Sequence, residues 1–176
     1  YRSSRGLGDV YKRQILYNFE KLCGYKFSTK CVEELAKIFP KNIIGVKDSS
    51  YNLYQDLKIK DFSILPGSEL KLLSGLEIGC SGIITATCNV TAELSRKVYD
   101  DFFNNVTQTA NNKLCEVRKT FDQFNLISGL HSFLKEKDSD YANILPTLSL
   151  LDPKDEKILF NKLRALDFPA KKNVAA

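Results

Sequence analysis

The chain has 176 residues, 43% of them hydrophobic and 27% charged, with nine glycines and five prolines; this is the composition of a globular domain, not of a disordered, collagenous or disulfide-knotted chain. No uncharged apolar run approaches the roughly 18 residues of a membrane helix, and the N-terminus lacks the apolar core of a secretory signal, so a cytoplasmic location with no membrane partner is expected. Of the formal charge of +5, Arg2, Arg5, Lys12 and Arg13 against Asp9 account for +3, which leaves +2 spread with interspersed signs over the remainder and argues against a nucleic-acid partner.

Residues 1–14, YRSSRGLGDVYKRQ, follow neither a strand nor a helix period and resemble translated cloning or sequencing-adapter scars. They are expected to be a non-native segment outside the fold. From Ile15 onward, short apolar runs alternate with helical stretches. Ile15-Leu16-Tyr17-Asn18-Phe19 is too short for a helix and reads as a strand. Ser28 or Thr29 can cap the next helix, where Val32, Leu35, Ala36 and Phe39 share one face until Pro40 stops it. Ile43-Ile44-Gly45-Val46 has the apolar, β-branched character of a strand covered on both faces, and it ends in Lys47-Asp48-Ser49-Ser50.

The pattern repeats with Leu53, Tyr54 and Leu57 on a short helix, Phe62-Ser63-Ile64-Leu65 as a strand, and Pro66-Gly67-Ser68-Glu69 as the turn leaving it. Leu70, Leu73 and Leu76 or Glu77 carry a further helix that Gly79 ends. Gly82-Ile83-Ile84-Thr85-Ala86 is predicted as a fourth strand, followed by a Thr91-capped helix with Leu94, Val98 and Phe102. Residues 15–103 thus hold successive β-α units, which fit either an open doubly wound sheet or part of a (β/α)8 barrel. Beyond Asn104 the period is helical throughout. Leu114, Val117, Phe121 and Phe124 form one stripe, and Ile127, Leu130 and Phe133 or Leu134 a second. Asp152-Pro153 opens a third helix that buries Leu159, Leu163 and Leu166. Residues 104–176 are expected to be a helical C-terminal extension.

Cys23, Cys31, Cys80, Cys88 and Cys115 are odd in number and scattered without a C-x-x-C pair, so reduced thiols rather than a zinc site are expected. His131 is the single histidine and lacks the companions of a metal site or a catalytic triad. No glycine-rich phosphate loop follows any strand.

In parallel α/β folds, reactive groups gather at the carboxyl ends of strands, where Tyr17 and Lys47 stand. A lysine at the end of an apolar strand is placed to lose solvation. Desolvation disfavours the ammonium and leaves an amine able to attack a carbonyl and form a Schiff base. A nearby phenol can pass the proton during carbon–carbon bond cleavage or formation. The same spacing also fits a lysine that snorkels to water and a tyrosine that fills the core.

Tyr17-Asn18, Gly45-Val46-Lys47-Asp48-Ser49-Ser50, Pro66-Gly67-Ser68-Glu69, Gly79-Cys80-Ser81-Gly82-Ile83-Ile84 and Asn89 follow one another in an order that resembles the C-terminal part of the dihydrodipicolinate synthase and N-acetylneuraminate lyase family. The resemblance runs roughly from Ile15 to Leu166. It implies a lyase, a pyruvate-dependent class I aldolase, on a (β/α)8 TIM barrel, of which this chain would supply strands five to eight and the extra C-terminal helices. By that resemblance Lys47 is the Schiff-base lysine and Tyr17 the proton-relay tyrosine. Ile84 offers main-chain contact to pyruvate, and Gly67, Glu69 and, less directly, Ser68 meet the second substrate. Glu69 equally fits an acid favoured by a helix N-terminus. The implied partners are a small 2-oxo acid and an aldehyde. A covalent lysine imine with pyruvate stands in place of any metal or organic cofactor, and the whole protein is expected to be a homo-oligomer, a tetramer.

Two departures bear on the substrate. Glu20 stands where the Y-N-x-P motif has its proline, which is expected to loosen the turn after Tyr17. Leu22 stands five residues beyond Tyr17, where dihydrodipicolinate synthases carry an arginine for the acceptor's carboxylate, and leucine offers no bidentate clamp. That favours a 2-keto-3-deoxy sugar-acid or N-acetylneuraminate-type aldolase over 4-hydroxy-tetrahydrodipicolinate synthase of lysine biosynthesis. A family barrel needs about 250 residues. The expected first half, with its G-T-T-G-E type loop for the pyruvate carboxylate and the tyrosine lent by a neighbouring subunit, is not in this sequence. The fragment alone is therefore expected to be inactive and to carry unpaired sheet edges. The alternative of another class is a noncatalytic module whose sheet edge or C-terminal helices bind a partner.

Overall fold

A computed structural model describes residues 12–168. Residues 1–11 of the adapter-like segment and residues 169–176 of the C-terminal extension lie outside the described residues. Gln14 pairs with Ile43, so regular structure begins inside the range read as non-native. The chain divides into two compact units, Tyr1–Ile84 and Thr85–Ala176. The helix ending at Phe103, grouped by its sequence position with the β-α units, belongs by its contacts to the second unit.

In the first unit three parallel strands, β1 (Gln14–Asn18), β2 (Ile43–Asp48) and β3 (Ser63–Pro66), lie in the order β1-β2-β3. Asn18 pairs with Asp48 and Asp48 with Pro66, so the three strands end level. β2 is the central strand of the three. Two helices, α1 (Glu20–Cys23) and α2 (Thr29–Ile38), lead from β1 to β2. The Ser28 hydroxyl caps α2 by accepting the Cys31 N–H at 3.2 Å. Val32 from α2, Val46, Ile64, Leu53, Tyr54, Leu57 and Cys80 form the buried core.

Three predicted elements of the first unit differ from the sequence reading. Leu53, Tyr54 and Leu57 are buried as expected, but on turns rather than a helix. Two backbone bonds, Asp56 N–H and Leu57 N–H to the same Leu53 O at 3.1 and 2.9 Å, close one turn, too little to propagate. The helix expected from Leu70 starts as a 3-10 turn, Glu69–Lys71, before α3 (Leu72–Glu77). The tighter winding rotates the face, so Leu72 and Leu76 are buried while Leu70 is exposed.

The third difference concerns Gly82-Ile83-Ile84-Thr85-Ala86, predicted as a fourth strand, which forms no ladder. Ser81 N–H reaches Ile64 O at 2.9 Å and Ile84 N–H reaches Pro66 O at 3.2 Å, so the segment starts along β3. Between those bonds Gly82 has φ 142°, a conformation outside the extended region of L-residues, and the ladder breaks there. The sheet therefore has three strands, not four, among the described residues.

The second unit holds α4 (Cys88–Phe103), α5 (Asn111–Phe121), α6 (Leu126–Leu134) and α7 (Pro153–Ala165). Thr91 does not cap α4; it lies inside the helix, its hydroxyl donating back to Thr87 O at 3.0 Å. Asp152 caps α7 by accepting the Asp155 N–H at 2.8 Å. Val117, Phe121, Leu130, Phe133, Leu159 and Leu163 form this unit's core. The buried Arg118 donates from Nη1 to the hydroxyls of Thr85 and Thr87 at 2.9 and 3.0 Å, and from Nε to the Asp122 carboxylate. That fork fastens the segment before α4 to α5. His131 Nδ1 lies 2.8 Å from the Tyr141 carbonyl. None of the five cysteines is in a disulfide. Among the described residues no helix is long and apolar enough to cross a membrane, and no group of three His, Cys, Asp or Glu side chains gathers as metal ligands.

Candidate active site

Tyr17 and Lys47 are partners in the β1–β2 ladder, so their side chains leave the sheet on one face. Lys47 Nζ lies 4.2 Å from the centroid of the Tyr17 ring, a cation–π contact on the order of 0.5–1 kcal/mol at a partly exposed position. Lys47 is half-buried and Tyr17 is exposed. The amine is thus only partly withdrawn from water and remains open to a small molecule. Among the described residues no carboxylate forms an ion pair with it.

Successive residues of a strand alternate faces, so Asn18 and Asp48 point the other way. Both are fully buried and bonded, Asn18 Nδ2 to Asp48 Oδ1 at 2.7 Å. The Asp48 carboxylate also accepts the N–H groups of Tyr51, Leu53 and Tyr54 at 2.9, 2.8 and 3.0 Å. It therefore organises the loop that follows the lysine. Sequence reasoning assigned no role to Asn18, Asp48 or Asn52. The available signal was a polar residue immediately after each candidate reactive residue, at the end of both strands.

The loops beyond the strands are tied to one another. Glu20, at the motif's proline position, donates its backbone N–H to Ser50 Oγ at 3.1 Å, a bond proline cannot make. Its carboxylate lies 3.3 Å from Lys26 Nζ. The turn after Tyr17, expected to loosen, is held instead. Gly67 donates its N–H to Asp48 O at 2.9 Å, and a Cβ at Gly67 would collide with the Ser49 hydroxyl. The loop after β3 is thereby seated directly on the loop after the lysine.

The remaining candidates occupy varied settings. Ser68 is buried and its hydroxyl accepts the Leu70 N–H at 3.3 Å, so it caps the 3-10 turn. Glu69 opens that turn and is fully buried. Ile84 is exposed, and its N–H is already engaged by Pro66 O. Leu22 is 73% exposed on α1, a short helix that begins two residues beyond Asn18.

A lysine facing a phenol where parallel strands end level marks an α/β protein with the makings of amine-based carbonyl chemistry. The model of the dihydrodipicolinate synthetase family matches residues 10–160, and the chain belongs to that family. Over 84 residues it is 38% identical to the 4-hydroxy-tetrahydrodipicolinate synthases of Shigella dysenteriae and Escherichia coli, covering 45% of this chain and 28% of theirs. The crystal structure of dihydrodipicolinate synthase from Agrobacterium tumefaciens matches with a TM-score of 0.73 and 22% identity, over 88% of this chain and 54% of that one. A prophage protein of Escherichia coli belonging to the dihydrodipicolinic acid synthase family, solved in complex with pyruvate, matches with a TM-score of 0.77 and 22% identity, over 89% and 56%. These two likenesses are of fold, and the chain spans about half the length of the solved proteins it matches.

Proposed function

We propose that this chain is the C-terminal half of a (β/α)8 barrel with its helical extension, and that the whole protein is a class I aldolase in which Lys47 forms an imine with pyruvate. The carrying observation is Lys47 Nζ 4.2 Å from the Tyr17 ring at the strand ends of a chain in this family. The neutral amine attacks the 2-oxo carbon, and the carbonyl oxygen departs as water to leave an iminium. Loss of a proton from the adjacent carbon gives an enamine, whose carbon bonds to the aldehyde; hydrolysis then returns the free lysine. The Tyr17 phenol carries protons between these steps. The Ile84 main chain faces pyruvate, and the loop carrying Gly67 and Glu69, with Ser68 less directly, meets the second substrate. The imine itself serves as electron sink, so the reading needs no metal or organic cofactor. A cytoplasmic location and a homotetrameric whole protein belong to the same reading.

For the acceptor, the exposed apolar Leu22 supports a 2-keto-3-deoxy sugar-acid or N-acetylneuraminate-type aldolase. The second reading is 4-hydroxy-tetrahydrodipicolinate synthase, favoured by the 38% identity to proteins of that name. Borohydride reduction of the full-length protein with pyruvate, followed by peptide mapping, is expected to leave one adduct, on Lys47, and none in Lys47→Ala. No adduct, or an adduct on another lysine, rejects the mechanism. Turnover of aspartate semialdehyde against 2-keto-3-deoxygluconate separates the two acceptors.

A further inference from the structure

β1 is anchored by a polar residue. Of its five residues only Asn18 is buried, while Ile15 and Tyr17 are exposed. The apolar alternation that normally fixes a strand's register is therefore weak here, and the ladder already shifts between Gln14 and Ile15. A slip of one residue would turn Tyr17 to the opposite face, away from Lys47.

The contacts of Asn18 oppose such a slip. Its Nδ2 donates to Asp48 Oδ1 at 2.7 Å and to Asn52 Oδ1 at 2.9 Å, and its Oδ1 accepts the Phe27 N–H at 3.0 Å. Its backbone carbonyl accepts the N–H groups of Ser49 and Ser50 at 2.9 and 3.2 Å. Asn52 closes the ring by donating to Phe27 O at 2.9 Å. Any other register leaves the buried Asn18 amide short of these partners and takes one donor from the buried Asp48 carboxylate, which is unfavourable. A buried polar pair acting as a register device is the best-attested use of such groups.

We infer that Asn18 and Asp48 are positioning residues, a register clamp on one face of the sheet that sets Lys47 against Tyr17 on the other. The catalytic consequence rests on the proposed role of Lys47; the placement of the amine against the ring does not. Asp48→Asn keeps the side chain's shape but turns an amide toward backbone donors. Asn52→Ala removes one bond from Asn18 and leaves the carboxylate intact. Val32→Ala, a cavity in the same core reached from α2, controls for lost stability alone.

In this chain labelled with 13C at the lysine ε-carbons, the Lys47 signal, assigned by its absence in Lys47→Arg, reports the ring contact through an upfield ring-current shift. Asp48→Asn is expected to abolish that shift, Asn52→Ala to reduce it, and Val32→Ala to keep it. In the full-length protein Asp48→Asn is expected to slow trapping at saturating pyruvate by about tenfold or more, because small misplacements of a reacting group are costly. An unchanged shift in folded Asp48→Asn overturns the inference. Should Asp48→Asn not fold, an unchanged shift in Asn52→Ala overturns it, as does an equal loss in Val32→Ala. A shift lost in Asp48→Asn together with no trapping in the unaltered protein upholds the clamp and rejects the aldolase reading.

Discussion

Lys47 Nζ rests against the face of the Tyr17 ring, 4.2 Å from its centre, because two neighbouring strands give the two residues one ladder position. The contact uses the ring, whereas the proposed proton transfer uses the hydroxyl. Tyr17→Phe is therefore expected to keep the ring-current signature of Lys47 and to keep imine trapping. Aldol turnover of the full-length protein falls by about 10²–10⁴, the usual contribution of a positioned acid–base group. Tyr17→Leu is expected to lose both the signature and turnover. Equal turnover in Tyr17→Phe and the unaltered protein removes the phenol from the mechanism.

Gly67→Ala is expected to destabilise the fold by about 1–3 kcal/mol, the range for a methyl group forced into filled space. The obstruction is the Ser49 side chain and Cα, so Ser49→Gly in the same chain should recover most of the loss. Urea denaturation of the two single variants and the double variant measures the coupling. Additive losses would show that the two loops are not packed on one another.

Cys80 is buried and its Sγ lies 3.7 Å from Tyr54 O. Desolvation pushes its thiol above the ordinary value, with Asp48 adding to the effect and Lys58 opposing it. Below roughly pH 8.5, the free thiol's value, folded and unfolded chains both hold the proton and the contribution is intact. Above it the unfolded chain ionises first, so this thiol's contribution declines as pH rises toward the folded value. Urea midpoints between about pH 7 and about pH 10 should fall more steeply for the native chain than for Cys80→Ala. Parallel slopes would mean that the thiol is not desolvated.

Arg118→Ala leaves the hydroxyls of Thr85 and Thr87 and the Asp122 carboxylate without their shared donor. A loss of about 1–3 kcal/mol is expected. Arg118→Lys is expected to restore little of it, since an ammonium cannot reach both hydroxyls and the carboxylate from one planar fork. Thermal denaturation followed by circular dichroism distinguishes the two variants.

The strands and most helices were legible because their signals are local. Ser28 before Val32 and Ala36, and Asp152-Pro153 before Leu159 and Leu163, state where a helix begins and which face is covered. Lys47 and Tyr17 were legible as residues at strand ends, and the structure sets them face to face. Leu53, Tyr54 and Leu57 were legible as core but not as turns, because the Asp48 carboxylate that gathers the N–H groups of Leu53 and Tyr54 comes from another element. The fourth strand failed at one backbone angle, that of Gly82, which no apolar pattern reports. The Asn18–Asp48 pair was invisible for a related reason: its meaning lies in a register between segments thirty residues apart, and composition says nothing of register.

The bond from the Glu20 backbone to the Ser50 hydroxyl has a bearing on protein engineering. Reversion to family consensus is a common route to sturdier variants, and position 20 would head any such scheme because the motif specifies proline there. In this chain the reversion deletes a donor that Ser50 already depends on. The departure and its compensation have to be exchanged together, as one paired edit spanning both loops.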